Sequence, residues 1–185
     1  MSLRLRSVCT LFVVVCVCST GRAEVLSMAA EGFHTRHSVS IAAPRSAVYA
    51  ALIGDVNKWW NPDYTVSGDA ERLYIEPRAL GCFCEVLGEN ASVVHLTVTL
   101  VNPSVMLRLS GGLGPLGLMG VSGNLTFEFE DSDAGSDLIV QYAVGGYRAG
   151  GLDGLAESVD AVLVEAVERL KVFVEAEHGA PMTER

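Results

Sequence analysis

The chain has 185 residues, which suits one domain and leaves little room for a second. Half of the residues are hydrophobic and 19% are charged, a composition that excludes a disordered chain. The net charge of −9 argues against nucleic acid and anionic membrane surfaces as electrostatic partners.

The amino terminus reads as an export signal. Arg4 and Arg6 precede the apolar run Val8 to Cys18, and Gly21-Arg22-Ala23 supplies the small residues that a signal peptidase recognises. The run is shorter than the ~20 residues that span a bilayer. The valines before Cys16 and Cys18 do not suit lipoprotein processing. The sequence thus predicts a leader over 1–23, a domain over 24–177 and a polar tail over 178–185. The mature protein is expected to be periplasmic or secreted, with no stable membrane insertion after cleavage. Without Arg4, Arg6 and Arg22 its charge is three units more negative, and no basic run remains.

Along the domain, the first predicted strand runs from His34 to Ile41, with His37, Val39 and Ile41 on one face. Pro44 opens a helix with an apolar face of Val48, Leu52 and Ile53. Asp55 is placed as the cap of a short second helix ending near Trp59-Trp60. Strands follow at 72–75 and 82–87. In the second of these, Glu85 faces away from Cys82, Cys84 and Val86.

Strict alternation over 93–100 puts Val94, Leu96, Val98 and Leu100 inside and leaves His95, Thr97 and Thr99 on a solvated face. Further strands carry Leu107 and Leu109, then Leu125, Phe127 and Phe129, then Leu138, Val140, Tyr142 and Val144. Leu152, Leu155, Val159, Leu163, Ala166, Leu170 and Phe173 recur at steps of three and four, which predicts a helix of about six turns. Its other face holds Glu157, Asp160, Glu165, Glu168, Arg169 and Lys171, and Glu165 pairs with Arg169 at i,i+4. The fold class is therefore α+β: an antiparallel sheet covered on one face by one long helix.

Few residues suggest chemistry. Of five cysteines, only Cys82 and Cys84 lie beyond the leader. An exported protein can form disulfides, but residues two apart on a strand hold their side chains in parallel, which rarely suits a bridge. The two are read as small apolar lining residues in preference to a soft metal or redox pair. His34 and His37 fall on opposite faces, no histidine pair has ligand spacing, and neither a metal nor a cofactor is expected.

The loop Gly111 to Gly120 interleaves glycines with Leu113, Leu116, Leu118 and Met119 and has no lysine, so it is no phosphate loop. It reads as a lid or as a wide turn packed on the core. Trp59 and Trp60 divide between core packing and the roof of a pocket mouth. Tyr142 points inward, and its hydroxyl needs a partner, for which Arg108, Glu85, a ligand or the backbone are the candidates.

The run Val39-Ser40-Ile41-Ala42-Ala43-Pro44-Arg45-Ser46-Ala47-Val48-Tyr49, the Trp59-Trp60 pair and the terminal helix, in that order, resemble the START-like (SRPBCC) superfamily over roughly 34–175. That superfamily includes polyketide cyclases, the birch-pollen-allergen family and heat-shock ATPase activator homologues. Gly81 to Glu85 and Leu109 to Leu116 are similar to stretches of bacterial members of unassigned function. The resemblance implies a helix-grip fold, a curved antiparallel sheet wrapped around a long C-terminal helix with a cavity between them.

The expected function is binding or transport of a hydrophobic small molecule or lipid in that cavity. Its wall would comprise Tyr142, Val140, Leu107, Leu109, Trp59, Trp60, Leu155 and Val159. No catalytic constellation stands out. The alternative, a polyketide cyclase- or dehydratase-like enzyme, requires Glu85 or His95 to converge with Tyr142. A protein-binding module of the chaperone-activator kind is disfavoured by export, which removes both that partner and ATP.

Overall fold

The computed structural model describes residues 22–178; the expected leader up to residue 21 and the tail from residue 179 lie outside the described residues. Eight antiparallel strands form one sheet: β1 (Arg22–Ala29), β2 (Gly32–Ile41), β3 (Leu73–Ile75), β4 (Cys82–Gly88), β5 (Ala91–Asn102), β6 (Met106–Gly111), β7 (Ser122–Ser132) and β8 (Gly135–Gly145). Their order across the sheet is β1-β2-β8-β7-β6-β5-β4-β3. Helices α1 (Arg45–Gly54) and α2 (Val56–Trp59) follow β2, α3 (Pro115–Leu118) lies within the glycine-rich loop, and α4 (Ala156–His178) closes the fold. None of these helices is long and apolar enough to cross a membrane.

The periodicities explain this assembly. Two inward rows run across the strands, His37–Val140–Phe127–Leu107 and Thr35–Tyr142–Leu125–Leu109. Every member of both rows is buried. Leu163, Ala166, Val167, Leu170 and Val174 form the buried stripe of α4, and α4 lies along β2 and β1 and meets α1 and α2. This is the helix-grip arrangement: a curved sheet holding a long helix against its inner face.

Five local readings need correction. The first concerns β1, which has no expected counterpart and begins at Arg22, inside the stretch read as leader. It is an edge strand with Leu26 and Met28 exposed, so backbone pairing to β2 forms it and no buried face marks it in the sequence.

The second is His95. Phe83 pairs with Leu96 but Cys84 pairs with Val94, so His95 is the extra residue of a β-bulge. The bulge turns the His95 side chain inward, to 6% exposure, and leaves Val94 on the outside at 58%. Third, Cys82 and Cys84 are joined by a disulfide. It sits where the β4–β5 register shifts, with Cα atoms 5.4 Å apart, closer than the ~6.6 Å of a regular strand and within bridging range.

Fourth, Asp55 occupies the position before α2 but makes no capping hydrogen bond; its carboxylate meets Lys58 Nζ at 2.7 Å. Fifth, Glu165 and Arg169 do not pair with each other. Glu165 accepts from Asn61 Nδ2 at 2.6 Å and from Tyr64 Oη at 3.1 Å, and Arg169 Nε donates to the Trp59 carbonyl at 2.7 Å. This part of the polar face of α4 thus holds the segment around α2 onto the helix.

Candidate functional site: an apolar seam under α4

Between the sheet and α4 lies a small cavity of about 10 Å³. Trp59, Trp60, Phe127, Val140, Leu163, Ala166, Val167 and Leu170 line it, and all are apolar. The indole rings of Trp59 and Trp60 meet edge to face with centroids 5.7 Å apart, and Trp60 packs in turn on Phe83 at 5.2 Å. Both indole N–H groups are taken by backbone carbonyls, Ala51 for Trp59 (3.1 Å) and Tyr64 for Trp60 (3.4 Å). Outside, Trp59 also borders a surface groove of about 440 Å³ with Lys58, Glu165, Glu168, Arg169, Val172 and Phe173. One tryptophan therefore separates the inner cavity from an outer groove.

The expected wall residues other than Tyr142 divide into three groups. Trp59, Trp60 and Val140 line the cavity. Leu107 and Leu109 are buried in the adjoining rows of the sheet. Leu155 and Val159 are partly buried, Leu155 in the turn preceding α4 and Val159 in its first turn.

Tyr142 is fully buried, but its hydroxyl meets none of the expected side-chain partners. It donates to the Gly111 carbonyl at 2.8 Å and accepts from the Leu113 N–H at 3.0 Å. Burial raises the Tyr142 pKa, opposed by the Leu113 N–H. The tyrosine thus pins the base of the glycine-rich loop, whose α3 segment buries Leu116 and exposes Leu118. At Gly111, φ is +147° and an added Cβ would sit 3.1 Å from the Leu96 side chain, so glycine is required there. Tyr142→Phe is expected to lower stability by about 1–2 kcal/mol, because it removes the partner of a part-buried carbonyl and a part-buried N–H. Urea unfolding of the two proteins measures this directly.

Glu85 is buried with no exposure. Its carboxylate accepts from Val66 N (2.9 Å), Ser67 N (2.6 Å) and His95 Nε2 (2.9 Å). Burial works to raise its pKa, but the Ser67 side chain, the Val66 and Ser67 N–H groups and His95 outweigh it and hold the carboxyl below its ordinary value. Glu85 therefore ties the segment after α2 to the sheet. An ionised Glu85 requires a proton on His95 Nε2, because a carboxylate can only accept. The pairing needs the bulge that turns His95 inward, and strand alternation carries no sign of a bulge. Neither residue meets Tyr142, whose hydroxyl is committed to the loop. Among the described residues no three His, Cys, Asp or Glu side chains are grouped as a metal site.

Sheet order, terminal helix and the seam between them define a helix-grip fold. No family model matches the chain, and no curated protein does. Solved structures do. An uncharacterized protein from Rhizobium leguminosarum is 15% identical, with 85% of this chain and 99% of that one covered and a TM-score of 0.56. CalU16 from Micromonospora echinospora is 17% identical over 86% of this chain and 89% of its own, with a TM-score of 0.55. DynU16, from the dynemicin biosynthetic locus, is 17% identical over 77% of this chain and 47% of its own, with a TM-score of 0.54. At these identities the likeness establishes the fold.

Proposed function

We propose that the protein binds a hydrophobic small molecule or lipid between the sheet and α4, outside the cytoplasm, by opening the seam beneath Trp59 and Trp60. The observation that carries this reading is the wholly apolar cavity at the centre of the helix–sheet interface. Its present volume is far below the ~300 Å³ of an ordinary ligand site, so the segment carrying Trp59 and Trp60 must move outward. What holds that segment to α4 includes the Glu165 contacts to Asn61 and Tyr64 and the Arg169 bond to Trp59, partly exposed bonds of modest net worth. The origin of DynU16 in a biosynthetic locus suits a small-molecule ligand.

The chain has two tryptophans, and both line the cavity. Titration with the uncharged fluorophore N-phenyl-1-naphthylamine is expected to give saturable binding with a change in tryptophan emission. The absence of saturable binding by that probe and by a fluorescent fatty acid would overturn the reading.

A second reading, a cyclase- or dehydratase-like enzyme, is favoured by one observation, the buried Glu85–His95 pair, a carboxylate hydrogen-bonded to an imidazole. It is tested by incubating a poly-β-ketone substrate with wild-type protein and His95→Gln. Turnover by the wild type alone supports it, and no turnover by either removes it.

A further inference from the structure

Beside the apolar cavity the helix–sheet interface holds a group of polar side chains that the hydrophobic reading does not use. His37 is 3% exposed, and neither ring nitrogen has a hydrogen-bond partner among the described residues. Glu168 Oε1 lies 3.5 Å from Nε2, an ion-pair separation without hydrogen-bond geometry. Asp160 Oδ1, on α4, is likewise buried without a partner. Burial raises the Asp160 carboxyl above its ordinary value, against the pull of His37 and Thr35. Buried imidazole and carboxylate groups left unpaired are costly and rare in folded proteins.

The group adjoins cavity-lining residues from two directions. On the sheet, His37 pairs with Val140, which lines the cavity. On the helix, Asp160 precedes Leu163, another lining residue, by one turn.

We propose that His37, Asp160 and Thr35 are the polar end of this binding site, and that they recognise a hydroxyl group on an otherwise hydrophobic ligand. The inference rests on the binding reading above and specifies its ligand class. An imidazole ring offers at least one N–H in either protonation state, and a carboxylate only accepts. A hydroxyl can accept from the ring N–H and donate to Asp160 Oδ1 in the same pose. An anionic head would face two carboxylates, Asp160 and Glu168. A hydrocarbon would leave all three polar atoms unpaired.

Three probes with one ring system separate these cases: 2-naphthol, naphthalene and 2-naphthoate, each titrated by calorimetry at pH 7. Wild-type protein is expected to bind 2-naphthol about tenfold more tightly than naphthalene, the order given by one or two net hydrogen bonds, and to bind 2-naphthoate more weakly than either. His37→Leu should reduce the naphthol-over-naphthalene preference to near unity while keeping naphthalene binding. Asp160→Asn, at a half-buried position that should tolerate it, is expected to bring 2-naphthoate about tenfold closer to 2-naphthol, which keeps the idea testable if the leucine variant does not fold. Equal binding of naphthol and naphthalene by wild-type protein overturns the hydroxyl site and leaves the hydrophobic reading standing. A naphthol preference that survives His37→Leu also overturns it. Failure of all three probes to bind wild-type protein overturns both.

Discussion

Leu163→Asp is expected to abolish the folded state at room temperature, read as the loss of a cooperative thermal transition by circular dichroism. Leu163 is 3% exposed, sits on the buried stripe of α4 and lines the cavity with seven other apolar residues. A carboxylate placed there meets an apolar wall. Burying it unpaired, or protonating it to avoid burial of charge, costs several kcal/mol, comparable with the whole ~5–15 kcal/mol of a small domain. Glu157→Ala, exposed in the first turn of the same helix, is the control and should change stability by about 0.5 kcal/mol or less. Parallel melts of the two variants would mean that α4 packs through a different face.

Glu85→Ala is expected to lower stability by about 3–5 kcal/mol, the range seen when one partner of a buried charged group is removed. The loss exceeds that of an exposed ion pair because the Val66 and Ser67 N–H groups and the His95 ring depend on that carboxylate. Glu85→Gln, which keeps the volume, should fall between wild type and alanine.

The effect carries a pH signature. The folded pKa of Glu85 lies below its ordinary value of 4.5, so the ionised carboxylate favours the folded state. That contribution is present above the unfolded pKa and is lost as pH falls through the folded one. The stability gap between wild type and Glu85→Gln, measured in urea, should therefore be full at pH 6 and shrink below about pH 4.5. Asp160, whose folded pKa is raised, contributes with the opposite sign, and comparison at matched pH removes it. A gap that widens with acid would show that Glu85 is not held as the anion.

The strands and helices of the core are legible from residue order because each has one buried face. In β8, Leu138, Val140, Tyr142 and Val144 alternate with more exposed residues, and all four are buried. The stripe of α4 from Leu163 to Val174 carries the 3.6-residue repeat over about three turns. The candidate site was legible only in part. Trp59, Trp60 and Val140 do line the cavity, whereas the Tyr142 hydroxyl serves the loop at Gly111 and Leu113. A hydroxyl's need for a partner can be read from its burial, and backbone was among the expected partners, but which residues supply it cannot be read because every residue possesses a backbone.

The sequence alone determined the class of fold, the inward rows of the central strands and the apolar face that α4 turns to the sheet. These follow from repeating patterns, in which each side chain's burial is set by its own element's geometry. The tertiary structure alone decided the rest. It decided that one extra residue in β5 turns His95 toward Glu85, and that Cys82 and Cys84 form a bridge. It also decided that Glu165 and Arg169 serve the α2 segment instead of each other, and that Glu168 meets His37 across the helix–sheet interface. The physical reason is common to all four. A helix or strand period specifies which face looks away from the core, but what else in the chain covers that face depends on contacts between residues distant in sequence or on a single-residue break in register, and neither has a period.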